Sequence, residues 1–153
     1  MSERAEKRTD RRKEKGQSMV EFAMVLPLFL IVMFIIVDFG VGFSRWLVIT
    51  NAAREGARMG TVGATAPEIE DRVSSTSAGL LDSSDIDVEY SDFDGDGVGP
   101  GDAVVVSAFY EYDFITPLGQ ILDLAFGSLT LASCADMRIE QEVDGAVDTG
   151  AEC

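Results

Sequence analysis

Two hydrophobic regimes divide the chain. From Phe22 to Val37 the residues run Phe-Ala-Met-Val-Leu-Pro-Leu-Phe-Leu-Ile-Val-Met-Phe-Ile-Ile-Val without a charge. A signal-peptide core spans roughly 7–15 residues, and this run is longer. No A-x-A-like cleavage site follows it. Gly40, Gly42 and Ser44 are small, but Asp38 and the aromatics beside them fit such a site poorly. The pattern therefore predicts one membrane-spanning helix. Glu21 and Asp38 bracket it, 17 residues apart, which is about 26 Å of helix against a hydrocarbon core of about 30 Å. Glu21 is expected at the inner interface and Asp38 at the outer one. Pro27 would cost roughly 3 kcal/mol inside a soluble helix, but membrane helices tolerate it because neighbouring groups re-satisfy the freed carbonyl.

Beyond the apolar run the pattern stays compatible with helix to Gly60. Arg45 and Trp46 suit the outer interface, where a snorkelling cation and an amphipathic ring are comfortable. Ala52, Gly56 and Gly60 recur every fourth residue, with Ala53 and Ala57 beside them. Such a stripe allows close backbone approach, by the chain's own sheet or by a neighbouring helix, with the sheet favoured. Thr65, Pro67 and the acids Glu68, Glu70 and Asp71 mark the start of a short helix over 67–81. From Ile86 the period becomes two, so Ile86, Val88 and Tyr90 predict a strand. A turn-rich segment over 92–101 leads to a second strand over 102–113. A short apolar helix over 118–126 is expected to cap the sheet, and a third strand is expected over 129–142. The fold class is α+β: a long N-terminal transmembrane helix, then a small domain with a three-stranded antiparallel sheet and one or two short helices. The segments are a basic leader at 1–16, read as a disordered arm, the long helix at 17–60, the body at 61–142 and an acidic tail at 143–153.

Charge orients this arrangement. Residues 1–16 carry seven Lys or Arg against four acids, whereas the rest carries five against 23. Lys and Arg resist translocation, so the leader should stay in the cytoplasm and the body should lie outside. An acidic body also argues against nucleic acid as a partner. The chain has no histidine, which removes the usual general base and the commonest zinc ligand. Serine and threonine nucleophiles consequently lack a histidine partner. No P-loop and no dinucleotide fingerprint is present, and no enzyme activity is expected. The two cysteines are Cys134 and Cys153. In an exported body a disulfide between them is chemically permitted.

Gly16-Gln-Ser-Met-Val-Glu-Phe-Ala-Met-Val-Leu-Pro-Leu-Phe-Leu30, with Asp38-Phe-Gly40 and Asn51-Ala-Ala-Arg-Glu-Gly-Ala-Arg58, resembles the TadE-like family. These are minor pilins or pseudopilins of the Tad (Flp-type) pilus system, and the sister TadF is hard to separate from one sequence. The resemblance covers residues 16 to 60 closely and beyond them only in pattern. Asp38 stands where the family often shows glutamate. The resemblance implies cleavage between Gly16 and Gln17 by a prepilin peptidase, with Glu21 as the signature acid. It also implies partners: other Tad pilins and pseudopilins, the inner-membrane assembly platform and the membrane itself. The chemistry supports a docking role for Glu21. A carboxylate buried among stacked helices is costly when unpaired, and the freed amine of a neighbouring subunit would pair it and fix register.

One further cluster stands apart. Asp92, Asp94 and Asp96, followed by Gly97, place oxygens at alternate positions, as at the start of a calcium loop. Ala103 occupies the twelfth position, where a bidentate acid is expected, and Asp102 comes one residue early. A solvated Asp/Gly hairpin loop and a calcium site both fit. No other cofactor is implied. Two functions follow: a cleaved minor pilin or pseudopilin that helps assemble an adhesive Tad-type pilus, or an uncleaved, membrane-anchored extracytoplasmic binding or adhesion module, calcium-dependent if the Asp loop holds the ion.

Overall fold

The computed structural model describes the backbone of residues 2–153, and the side chains from Gln17 onward except Phe126. One helix, α1 (Ser2–Gly60), carries the apolar run and continues through Pro27 into the body. The leader, expected as a disordered arm, is helical from Ser2. Ala, Glu, Lys and Arg are strong helix formers, and they extend a helix already nucleated by the apolar run. The side chains of the leader lie outside the described residues. From Gln17 to Gly60 the helix is long and apolar enough to cross a membrane, and its most apolar stretch is wholly unburied.

The remaining elements are α2 (Ala66–Thr76), a 3-10 turn at Ser83–Asp85, β1 (Ile86–Ser91), β2 (Ala103–Tyr112), α3 (Pro117–Phe126) and β3 (Leu129–Arg138). The strands form an antiparallel sheet in the order β1-β2-β3. Val88 faces Val106, and Val106 faces Ala135. Period two therefore puts Ile86, Val88, Tyr90, Val104, Val106, Ala108 and Ala135 on one face. That face packs against the C-terminal half of α1 and against α2, and Ile49, Ala52, Ala53, Ala57, Ile69 and Val73 complete the core.

The small-residue stripe meets the chain's own sheet and α2. A Cβ built on Gly60 would lie 2.8 Å from both methyls of Val104. One built on Gly56 would collide with Val73 of α2 and come within 3.5 Å of Val106. Glu55 ties the same two helices at the surface by accepting from Arg72 at 2.7 Å.

Two boundaries and one packing contact differ from expectation. α2 ends at Thr76, short of Leu81, because the buried Ser77 turns the chain. Its hydroxyl donates to the Ser74 carbonyl at 2.7 Å and accepts from the Leu81 N–H at 3.1 Å. Ala78 and Gly79 then take positive φ. β3 stops at Arg138, because the Glu140 N–H leaves the sheet and donates to the Thr61 carbonyl at the end of α1. α3 does not cap the sheet. It packs along α1, with Ile121 and Leu124 facing outward. The acidic tail folds back: Thr149 N–H donates to the Tyr90 carbonyl at 2.9 Å, and Cys153 is bonded to Cys134 with the Cα atoms 5.8 Å apart.

Candidate functional site

The chemistry concentrates along α1 and at the hairpin loop. Towards its N-terminal end, α1 passes through Gly16, whose surroundings lie outside the described residues. Gln17 and Glu21 are described and are one helical turn apart. Gln17 Nε2 donates to Glu21 Oε1 at 3.2 Å, and both side chains are exposed. Glu21 thus projects from the helix at the start of a surface whose apolar side chains are largely exposed through Val37.

Asp38 behaves otherwise. It is only 8 % exposed in a segment where its neighbours face out. Its Oδ1 accepts the N–H groups of Ile115 and Thr116, each at 3.1 Å, and its Oδ2 accepts the Thr116 hydroxyl. Its own backbone carbonyl accepts the Tyr112 hydroxyl at 3.0 Å. Thr116 is the N-cap of α3, and its Oγ1 also accepts from Gly119 N–H. Pro117 follows at the first helical position, where its fixed φ suits a helix start. A single carboxylate on α1 therefore holds the turn between β2 and α3. Gly119 is required beside it, since a Cβ there would lie 2.6 Å from Asp38 Oδ2. From its spacing to Glu21, Asp38 is expected only as a marker of the outer interface. Its partners lie 74–78 residues away, and no local spacing announces such a pairing.

Around this clamp lies an apolar cleft of ≈ 340 Å³, walled by Ile35, Phe39 and Phe43 of α1, Leu118 and Leu122 of α3, and Leu129 of β3. Phe39, Phe43 and Trp46 form a ladder up the exposed side of α1, with centroids 6.2 and 5.8 Å apart.

The hairpin loop gathers Asp92, Asp94, Asp96 and Asp102, with one carboxylate oxygen from each within 4.8 Å of the others. Much of this gathering serves the loop itself. Asp92 accepts the N–H groups of Gly95 at 2.7 Å and Gly97 at 2.9 Å. Asp102, 3 % exposed, accepts from Phe93 at 3.0 Å and Gly99 at 2.8 Å. Asp148 of the tail accepts the Asp92 N–H at 3.0 Å. Gly95, Gly97 and Gly101 all take positive φ here, which glycine adopts without steric penalty.

The hydrogen bonds from Gly95 and Gly97 lower the Asp92 carboxyl below the usual carboxylate range. Asp96 is raised, first by its hydrogen bond with Asp94 and then by the surrounding negative charge. The two contributions to stability have opposite sign. That of Asp92 is present above the ordinary carboxylate pKa and is lost as pH falls through its depressed value. That of Asp96 is present at low pH and is lost as pH rises through its raised value. Carboxyl 13C NMR titration should therefore show Asp92 titrating below the ordinary range and Asp96 above it. The same order of titration in an unfolded chain would contradict this account.

Comparison with known proteins adds one relation. Residues 16–58 match the family model described as TadE-like protein. No curated protein and no solved structure matches the chain.

Proposed function

With residues 16–58 as a TadE-like segment, we propose that this chain is a minor pilin or pseudopilin of a Tad-type pilus. It is made as a precursor and cut after Gly16 by a prepilin peptidase. Its body lies outside the cytoplasmic membrane, and it joins other Tad pilins at the assembly platform to build a fibre for surface adhesion. The observation that carries this reading is the exposed Glu21 at the head of a continuous, uncovered apolar helix. That surface needs lipid before assembly and helices after it. Once those helices displace lipid, the Glu21 carboxylate must find a cation. A freed N-terminal amine at Gln17 of a neighbouring subunit is suitably placed in sequence to supply one. The leader's Lys and Arg excess supports an inward N-terminus.

N-terminal sequencing of the mature protein from cells with an active peptidase tests the reading, and a start at Gln17 is expected. Gly16→Leu should leave the precursor uncut, because a bulky residue cannot replace glycine at the scissile position. An intact leader in the wild-type chain would sink the pilin reading.

A second reading rests on the convergence of Asp92, Asp94, Asp96 and Asp102. Hard cations take such oxygen sets, and a calcium-dependent, membrane-anchored binding module would use them. Isothermal titration of the full chain in detergent with calcium decides it. Heat at millimolar calcium that disappears in Asp94→Asn/Asp96→Asn supports the module, and no heat removes calcium from consideration.

A further inference from the structure

We propose that α3 is an interfacial helix that dips into the outer leaflet beside the α1 span, so that the body is seated on lipid. This rests on the reading of α1 as a membrane span, and it does not depend on cleavage or on pilus assembly.

The sequence of α3, Pro-Leu-Gly-Gln-Ile-Leu-Asp-Leu-Ala-Phe, carries a single charge. Helical spacing puts Pro117, Ile121, Leu124 and Ala125 on one side. All four are exposed, and Leu124 is 91 % exposed. A ten-residue helix of a soluble body would ordinarily turn this side inward. Here the inward side is taken by Gly119, Leu118 and the Asp38 clamp, and the apolar side is left facing out. Gln120 is exposed on the remaining flank, which a helix lying in the interface presents to headgroups, whereas Asp123, the one charge, is half-buried with its Oδ1 enclosed.

The occupant follows from continuity. Asp38 fixes α3 against α1 at the end of the charge-free run, so the outward side of α3 adjoins the apolar surface of the span. The exposed aromatics of α1 continue past this level: Phe39 and Phe43, then Trp46 with Arg45 next to it. Trp and Arg favour the water–lipid boundary. The apolar belt on this side of α1 therefore reaches Trp46, and α3, held two turns lower at Asp38, falls within it. Ile115 at one end of α3 and Leu129 beyond the other are also exposed, which widens the belt across the underside of the body.

The clamp removes the main obstacle. Irregular backbone is excluded from lipid unless its polar groups are satisfied. The turn before α3 is irregular, and Asp38 satisfies the N–H groups of Ile115 and Thr116 together with the Thr116 hydroxyl. These same bonds satisfy the carboxylate. An acid at the edge of a membrane span and an unwound turn thus cancel each other's exposed polarity, which is the arrangement an inserted segment needs.

The test uses the full chain in vesicles and exploits its single tryptophan. In a Trp46→Phe background, tryptophan is placed either at Leu124 (Leu124→Trp) or within the span (Phe29→Trp). Vesicles are made of phosphatidylcholine and phosphatidylglycerol with bromines on the acyl chains. Both reporters should emit to the blue and lose intensity to the bromines, the Leu124→Trp reporter most strongly with bromines placed shallow in the chain. Quenching of Phe29→Trp but not of Leu124→Trp overturns the proposal and leaves the span intact. Quenching of neither fails the span reading. Leu124→Trp emission that is blue-shifted, unquenched and moves to the red on dilution in lipid assigns the face to a second copy of the chain, and also overturns the proposal. Ile121→Asp supplies a variant that leaves the clamp untouched and should shift the Leu124→Trp emission to the red.

Discussion

Asp38→Ala is expected to release the turn between β2 and α3 while leaving the sheet folded. Two backbone N–H groups and a hydroxyl lose their acceptor, and Thr116 is buried. Each buried donor left unsatisfied costs about 1–3 kcal/mol, so the opening free energy of this region should fall by roughly 2–5 kcal/mol. The loss is local, because the core of α1, α2 and the sheet does not include Asp38. Hydrogen exchange of the full chain in nanodiscs reads it directly. The Ile115 and Thr116 amides should lose protection, while Val104 and Val106 in β2 keep theirs. Asp38→Asn retains one acceptor oxygen and should cost about 1 kcal/mol. Unchanged protection at Ile115 and Thr116 in the alanine variant would remove the clamp from the account.

The second large effect is expected at the small-residue stripe. At Gly60 an added methyl would sit 2.8 Å from both Cγ atoms of Val104, a side chain fully buried in the central strand. A β-branched side chain has little χ1 freedom with which to retreat. Alanine gains about 1 kcal/mol of helix propensity over glycine, but overpacking typically costs about 1–3 kcal/mol. Gly60→Ala should therefore be destabilising on balance. Gly56→Leu should be worse, since its first carbon already meets Val73 and lies 3.3 Å from Ile69. Gly40 provides the control, because a Cβ there meets nothing within 4 Å. Guanidinium midpoints of the full chain in micelles should fall for Gly60→Ala and more for Gly56→Leu, and should hold or rise for Gly40→Ala, where the propensity gain meets no clash. Equal midpoints across the three would mean that α1 and the sheet are not in close contact.

Much of this architecture was legible because it rests on short-range periodicity. The charge-free run, the alternation of Ile86, Val88 and Tyr90, and the four-residue recurrence of Ala52, Gly56 and Gly60 each report one element and one buried side. The hairpin acids were legible for the same reason, being neighbours in sequence. What escaped depends on pairings far along the chain or on polar side chains that act against periodicity. Ser77 ended α2 through hydroxyl bonds that leave no apolar trace. The leader's charges concealed residues that are good helix formers. α3 looked like a cap for the sheet because apolarity implies burial, yet its apolar side is directed outward. Asp38 read as a boundary marker, and its three acceptor bonds to residues 115 and 116 became visible only once the chain had folded back.

α1 holds the body at two separated places, the Asp38 clamp below and the Ala52–Gly60 contact above, and it is one uninterrupted helix between them. Each residue of a helix advances about 1.5 Å and turns about 100°. The two holds are therefore phased against each other, and inserting one residue between them would twist one out of alignment with its partner. With no hinge between the span and the body, a pull on the body loads α1 lengthwise, and torque applied at one end is delivered to the other as rotation.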